Sequence, residues 1–282
     1  MKVLYKYVAS RGIDILDRLR VKVTPPNQFN DPFEVTPRSC TPHTKQRLLC
    51  DRKRSRKVYE MMRAAGDFSG SWSQFKHGLP RAVDRTLPQI QAALRAQENV
   101  GNLTFVDQAS QYVGIICFSA SPNDIVMWGH YGESHEGLVI GFDVDDQSFP
   151  RIPDLGVRKV KYSRARYPFD GGLRPASRRW YEQLNETLFH KSTAWSYEKE
   201  SRLVLPLTGA ESEGSDGMRT YYIRISASAI TEVIFGCRTT PTFQREVRNI
   251  LSLRRFRHVK VLRADRHPDR FSLVLKPAQG DG

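Results

Sequence analysis

The feature that most constrains the fold is a series of short, strand-like segments in the second part of the chain. Eight segments rich in β-branched and aromatic residues are separated by turn-forming or charged residues. They read YVGIICFSA, GLVIGFDV, VRKVKYS, SRLVLPL, RTYYIRIS, EVIFGC, HVKVLRA and FSLVLKP. Two helical patterns, at about residues 176–191 and 242–251, interrupt the series. Strands in runs with segregated helices predict an α+β fold with a mainly antiparallel sheet.

The first part of the chain predicts a short strand, a helix and then an inserted helical layer. Residues 3–8 are typical of a strand, and Ser10 is a suitable N-cap for a helix that continues to about Arg20. With 282 residues, of which 39% are hydrophobic, the chain can bury a sizeable core. We predict one α+β domain over residues 1–275, with a helical insertion at about 41–111 and a disordered tail at 276–282.

The sequence lacks the motifs that mark several classes of protein. There is no run of eighteen apolar residues and no apolar stretch of a signal peptide, so we expect a cytoplasmic protein without a membrane partner. The four cysteines form no CxxC pair, and the spacing of His130, His135 and Glu136 does not suit zinc, so no metal site is predicted. Glycine-rich phosphate loops and the GxSxG nucleophile motif are also missing.

The excess of basic residues indicates a polyanionic partner. The formal net charge is +14, and such a charge attracts nucleic acids, nucleotides and anionic surfaces regardless of their sequence. Much of the charge lies in two segments, residues 43–66 and 253–267. In the first segment we predict nucleic-acid contacts by Arg52, Lys53, Arg54 and Arg56. A solvated helix face explains the same pattern, and the sequence leaves both interpretations open.

Three motifs contain polar residues that are not needed for packing a core. FNDPFE, residues 29–34, places Asn30 in a turn between two aromatic side chains. CFSASPNDIVMWGHY, residues 117–131, has a capping serine and a proline that predict a short helix ending at Tyr131. In WSYEKESRLV, Glu198 and Glu200 stand two positions apart at the mouth of a strand, and this spacing aims both side chains at one face.

Together these motifs resemble an uncharacterised bacterial domain family. Its members share a short N-terminal strand, an F-N-D-P loop, an M-W-x-H-Y helix followed by G-x-x-I-G-F-D, and a W-x-Y-E-x-E-x-R element. The matching stretches here are LYKY, FNDPFE, MWGHY with GLVIGFD, and WSYEKESR. The resemblance covers most of the chain outside the predicted insertion. It implies membership in a family of unknown function and supplies no activity.

The order of the motifs is also similar to that of ADP-ribosyltransferases, which have a split, mainly antiparallel sheet and take NAD as substrate. The resemblance implies that Glu200 and Glu198 form the late E-x-E motif and act as catalytic residues together with Tyr131. A carboxylate can stabilise the oxocarbenium-like transition state, and a second one can position the acceptor or act as a base. The implied NAD-binding residues are Tyr5, Lys6, Tyr7, Asn30, Ser119, Trp128, His130 and Arg202, with Lys6 and Arg202 on the pyrophosphate.

Two functions remain open at this point. The first is an ADP-ribosyltransferase-like enzyme that uses NAD to modify a nucleic-acid or protein acceptor, although the first strand carries Tyr and Lys where those enzymes have His or Arg. The second is a non-catalytic nucleic-acid or nucleotide-binding module, in which Glu198 and Glu200 form ion pairs with Arg202 and with Lys191 or Lys199. Convergence of the predicted residues on one cleft would favour the enzyme.

Overall fold

The chain folds into two compact units of helices and strands. The computed structural model describes residues 3–40, 52–81, 84–85, 98–150, 156–170, 177–214 and 219–278. The first unit comprises residues 1–35, 106–165 and 189–282, and the second comprises residues 36–105 and 166–188. The large sheet is mostly antiparallel, which confirms the predicted α+β class.

The strands and helices of the described residues have the following bounds. The strands are β1 (Val3–Val8), β2 (Arg20–Val23), β3 (Arg38–Cys40), β4 (Val113–Ser119), β5 (Leu138–Asp143), β6 (Arg158–Lys159), β7 (Lys161–Ser163), β8 (Pro168–Asp170), β9 (His190–Ser192), β10 (Glu200–Pro206), β11 (Glu211–Glu213), β12 (Thr220–Arg224), β13 (Ile230–Phe235), β14 (Lys260–Arg266) and β15 (Leu273–Pro277). The α-helices are α1 (Asp14–Asp17), α2 (Arg52–Ala64), α3 (Glu98–Tyr112), α4 (Ile125–Tyr131), α5 (Arg178–Leu188) and α6 (Pro241–Leu251), and residues 72–81 are also helical. None of the helices in these described ranges has both the length and the apolar character needed to cross a membrane.

The first unit is built on an eight-stranded sheet that is split at its centre. The strand order is β15-β14-β13-β5-β1-β4-β10-β6, so the prediction that β1, β4 and β10 belong to one sheet is confirmed. Strand β1 pairs with β5 from Val3 to Val8, and β10 pairs with β4 from Glu200 to Pro206. In the described sheet β1 and β4 are joined at Tyr5 and Ser119 alone. The two halves of the sheet therefore diverge from this point.

Alternation along the strands divides the core between the two faces of the sheet. Leu138, Ile140 and Phe142 of β5 belong to the larger apolar cluster, whereas Val139 packs with Tyr7 and Trp128 in the smaller one. This alternation follows from the two-residue period of a strand. Each such fully buried side chain stabilises the fold by roughly 1.5–3 kcal/mol.

Gly137 explains why β5 can lie so close to β1. A Cβ atom at this position would clash with the carbonyl oxygen of Val8, so only glycine allows the two strands to begin pairing at Val8 and Leu138. The first glycine of the GLVIGFD motif is thus required for the strand pairing at the centre of the sheet.

Two predicted boundaries are corrected. The helix expected from Ser10 to about Arg20 is a 3-10 turn, Ser10–Ile13, followed by the four-residue α1. Lys276 and Pro277, which were predicted to be in the tail, belong instead to β15, which pairs with β14. As an edge strand, β15 tolerates a proline, whose missing N–H can face away from the ladder. Residues 279–282 lie outside the described residues.

The second unit contains the described part of the predicted helical insertion. Helix α2 and residues 72–81 carry an aromatic cluster, in which Tyr59 meets Phe68 and Trp72 edge to face. Strands β3 and β8 pair in parallel, and the Asp170 N–H donates to the Gln183 side chain of α5. Residues 41–51, 82–83 and 86–97 of the predicted insertion lie outside the described residues.

Candidate active site

A cleft of about 180 Å³ lies where β1 and β4 diverge in the first unit. Its walls come from β1, β4, α4, the loop that contains FNDPFE, and the start of β10. Eight residues that the sequence analysis selected line it: Tyr5, Lys6, Tyr7, Asn30, Ser119, Tyr131, Glu198 and Glu200. Segments far apart in the sequence therefore meet in one place.

Three of these residues stand in one row across three strands. Tyr5 of β1 is opposite Ser119 of β4, and Ser119 is opposite Glu200 of β10. Directly paired residues of neighbouring strands project from the same face of a sheet. The register thus places an aromatic ring, a hydroxyl and a carboxylate side by side on the floor of the cleft.

Glu198 and Glu200 converge through a turn and not through the pleat of one strand. Glu198 ends the 3-10 helix Thr193–Glu198, and Lys199 adopts a left-handed conformation with φ of 45° before β10 begins at Glu200. The Ser119 hydroxyl donates to the Glu198 carbonyl oxygen at 2.6 Å, and the Glu200 N–H donates to the Tyr162 hydroxyl at 2.8 Å. The predicted proximity of the acids is correct, but the predicted strand geometry is wrong for Glu198.

The Lys191 ammonium group lies among three buried carboxylates. Its Nζ atom is 2.6 Å from Glu198, 3.0 Å from Glu200 and 3.5 Å from Glu34. Burial acts to lower the pKa of Lys191, but Glu200 and Glu198 outweigh it and raise the pKa above its ordinary value. Lys191 therefore stays charged and holds the carboxylates in place.

Arg202 lies beneath the cleft and is fully buried. Its Nε and Nη2 atoms donate to the two carboxylate oxygens of Glu200 at 2.7 and 3.2 Å, and Nη2 also pairs with Glu34. The guanidinium lies over the ring of Phe29 at 5.5 Å. Burial lowers the pKa of Arg202 to about 9, so it is still charged at neutral pH. These contacts assign Arg202 to the carboxylates and replace the expected contact with a pyrophosphate.

The carboxylate of Glu200 has an unusual affinity for a proton. Burial raises the pKa of Glu200 to about 7, with Lys191 acting in the opposite direction and Glu198 adding to the rise. An exposed ion pair contributes at most about 1 kcal/mol to stability. Glu200 is buried, and removing one partner of a buried pair costs several kcal/mol. Perturbed carboxyl groups in clefts are common among catalytic residues.

Tyr131 connects the cleft with Glu198. Its hydroxyl donates to the Glu198 carboxylate at 2.8 Å, and the Asn30 amide reaches the same hydroxyl at 3.5 Å. Burial and the Glu198 charge raise the pKa of Tyr131, so the phenol remains protonated at neutral pH. Asp124 caps α4 by accepting from the N–H groups of Val126 and Met127, and this cap fixes the helix that carries Tyr131.

Lys6 enters the cleft from the other side of the split. Its Nζ atom donates to the carbonyl oxygen of Cys117 at 3.3 Å, in the region where β1 and β4 separate. Burial lowers the pKa of Lys6, while Cys117 and Glu200 act to raise it. Lys6 therefore brings a second lysine side chain to the cleft beside Lys191.

Trp128 and His130 are not among the residues that line the cleft. Trp128 is fully buried in the core, and its Nε1–H donates to the Pro122 carbonyl oxygen at 3.0 Å. His130 is exposed and lies 3.3 Å from the Tyr197 hydroxyl. Their expected stacking or binding contacts with NAD have no support from these positions.

The predicted nucleic-acid residues of the first basic segment belong to α2. The side chains of Arg52, Lys53 and Arg54 lie outside the described residues, so their contacts stay a prediction. Arg56 pairs with Glu60 at 3.0 Å, as neighbouring turns of a helix allow.

Some residues of the cleft were not predicted as catalytic or NAD-binding, although Lys191 was expected as an ion-pair partner of Glu198 and Glu200 and is confirmed as one. Lys191, Glu34 and Phe29 line the cleft, and the first two supply charges that the acids and Arg202 require. Glu34 and Phe29 belong to the FNDPFE motif, and Lys191 opens the segment that contains the E-x-E motif. All three residues lie in or beside the motifs that the sequence analysis identified, but the sequence does not show that these segments meet in the fold.

Within the described residues no group of three or more His, Cys, Asp or Glu side chains is arranged to bind a metal.

Comparison with known proteins shows a match to a family model over one segment of the chain. Neither the curated proteins nor the solved structures include a match to this chain. Residues 127–203, which contain Tyr131, Glu198 and Glu200, match the model of a family described as "Protein of unknown function (DUF2971)", so the predicted relation to a family of unknown function holds for this segment.

Proposed function

We propose that the cleft is the active site of a cytoplasmic, ADP-ribosyltransferase-like enzyme that cleaves NAD and transfers ADP-ribose to a nucleic-acid or protein acceptor. The convergence of Tyr5, Ser119 and Glu200 in one row, at the split between β1 and β4, carries this proposal. The order in which these residues occur along the chain is the order that the transferase resemblance requires. The alternative, a non-catalytic binding module in which Glu198 and Glu200 pair with Lys191 and Arg202, accounts for the same ion pairs, and the NAD experiment below separates the two.

The chemistry follows from the position of the two acids. When the bond between nicotinamide and ribose breaks, its electron pair leaves with nicotinamide and positive charge develops on the ribose. Glu200, which Arg202 and Lys191 hold in a fixed orientation, supplies negative charge to that transition state. Glu198, in contact with Tyr131, accepts the proton of the attacking acceptor group as its oxygen or nitrogen bonds to the ribose carbon.

The size of the cleft limits which part of NAD it holds. Pockets for drug-sized ligands have volumes of roughly 300–1,000 Å³, and this cleft has about 180 Å³. The nicotinamide-ribose end therefore fits inside, between Phe29 and Tyr131, and the adenosine end extends outside. Lys6 is the cation of the cleft that can approach a phosphate, because Arg202 and Lys191 are held by carboxylates.

The experiment separates binding from chemistry. NAD is titrated into the protein by calorimetry, and nicotinamide release is measured with nucleic acids and proteins as acceptors. We expect Glu200→Gln to abolish release and Glu198→Gln to reduce transfer more than hydrolysis. Glu182→Gln, on the exposed face of α5, is the matched control. No binding at millimolar NAD would overturn the proposal, as would unchanged release in both site variants.

A further inference from the structure

A second, larger cavity of about 770 Å³ lies at the turn between β14 and β15. It also touches the turn after β13 and the first residue of α4, all within the first unit. No described residue lines both this cavity and the cleft. Its volume lies within the range of pockets that hold ligands of nucleotide size.

The lining of this cavity is rich in guanidinium groups. Arg238, Arg266 and Arg270 line it, with Asp269 as an acidic neighbour. All three arginines are exposed. Arg238 forms an ion pair with Glu136 at 3.1 Å, and such a surface pair contributes little to stability. The planar fork of arginine matches the geometry of phosphate oxygens and makes arginine a common residue for phosphate recognition.

Phe271 presents an aromatic ring to solvent beside these arginines. The ring is fully exposed, although burial of a phenylalanine side chain normally stabilises a protein. The turn that carries it is fixed, because the His267 N–H donates to the Ser272 carbonyl oxygen at 2.9 Å and the Ser272 N–H donates to the Arg270 carbonyl oxygen at 2.8 Å. The backbone therefore holds the ring outside the core.

We propose that this cavity binds a single-stranded nucleic acid, with a base stacked on Phe271 and phosphates on Arg238, Arg266 and Arg270. An exposed aromatic ring among basic side chains is the combination that single strands require, since every base has a face for stacking and every linkage has a charge. Duplexes fit less well because their bases are already stacked. This proposal goes beyond the NAD chemistry and does not depend on it, since binding is measured without NAD.

The test uses a fluorescently labelled oligonucleotide of about ten nucleotides and the full chain. We expect Phe271→Ala to raise Kd about fivefold or more, and the double variant Arg266→Glu, Arg270→Glu to raise it at least about tenfold. The slope of log K against log salt should become shallower by about 1.4, the value for two lost phosphate contacts on a single strand. Thermal unfolding checks that the variants fold, as expected for exposed side chains.

The matched control is the double variant Arg245→Glu, Arg257→Glu. Both residues are exposed and lie outside the residues that line the cavity, and the net charge changes equally. A change in Kd of less than about threefold in the control supports a local site. Equal losses in both double variants would overturn the proposal in favour of a general charge effect. AMP binding as tightly as the oligonucleotide would overturn the assignment to a strand.

Discussion

The Tyr131 hydroxyl lies 2.8 Å from the carboxylate of Glu198 and donates a hydrogen bond to it. Tyr131→Phe removes this bond and leaves the ring in place. Because a hydrogen bond to a charged group contributes roughly 1.5–3 kcal/mol, we expect nicotinamide release to fall about ten- to hundredfold. Because the bond also stabilises the fold, the free energy of unfolding should fall by a similar amount, and activity is compared at a temperature where both proteins are folded. Steady-state kinetics check this, with the exposed Tyr112→Phe as control, and an unchanged kcat would contradict the role of Tyr131.

Glu200 links the free energy of unfolding to pH. Its pKa is about 7 in the folded protein, and its ordinary value is 4.5. Between these values the folded protein keeps a proton that the unfolded chain has released, so the stability due to this group falls as pH rises through the window. From pH 5 to pH 8 the wild type should lose about 2–3 kcal/mol relative to Glu200→Gln, which cannot titrate. Urea unfolding at each pH measures the difference, and parallel curves would contradict it.

Nicotinamide release should depend on pH in the opposite direction. The proposed role of Glu200 requires its ionised form, which becomes the major form above about pH 7. We therefore expect kcat/KM to rise as pH increases from 6 to 8, while stability falls over the same range. The measurement is release of nicotinamide from subsaturating NAD. A profile that is flat or falls over this range would show that the charge of Glu200 is not needed.

Arg202→Met should strongly destabilise the protein. The variant leaves Glu200 and Glu34 buried with Lys191 as their shared cation. Removing one partner from a buried ion pair costs about 3–5 kcal/mol, measured here as the free energy of unfolding in urea. In the control, Arg178→Met, the side chain is 92% exposed and its pair with Glu182 contributes less than about 0.5 kcal/mol. A similar small loss in both variants would contradict the structural role of Arg202.

Lys199→Gly should preserve stability or increase it by up to about 1 kcal/mol. Lys199 has φ of 45°, a left-handed conformation that costs a side chain with a Cβ atom roughly 1–2 kcal/mol. Glycine removes this cost but loses roughly 0.5–1 kcal/mol through the greater freedom of the unfolded chain. Lys159→Gly, in β6, serves as the control and should only destabilise. Equal losses in the two variants would argue against the turn that joins the two acids.

The strands were predictable because their apolar patterns are local. The segments around β4, β5, β10 and β13 are rich in Val, Ile, Leu and Phe, and each forms a strand close to its predicted bounds. The α+β class and the presence of β1, β4 and β10 in one sheet followed from the same patterns. The shorter strands β3, β8 and β9 have no such pattern and depend on pairing with distant partners.

The site was predictable in its two acids and in their pairing with Lys191 and Arg202, but not in the contribution of Glu34. Glu198 and Glu200 stand out because they are close in sequence, whereas Glu34 reaches Lys191 only through the fold. Arginine is mostly exposed in proteins, so the burial of Arg202 had no local signal. Lysine rarely adopts the left-handed conformation, and for this reason the turn at Lys199 was not expected.

The place of β1 at the centre of the sheet determines when the cleft can form during synthesis. Val3–Val8 is translated before Leu138–Asp143, with which it pairs across more than a hundred residues of chain. Pairing over such a distance is slow, because a long loop must close before any contact forms. Until β5 is synthesised, Leu4 and Val8 lack their pairing partners Phe142 and Leu138. The floor of the cleft is completed later still, when Glu200 reaches Ser119.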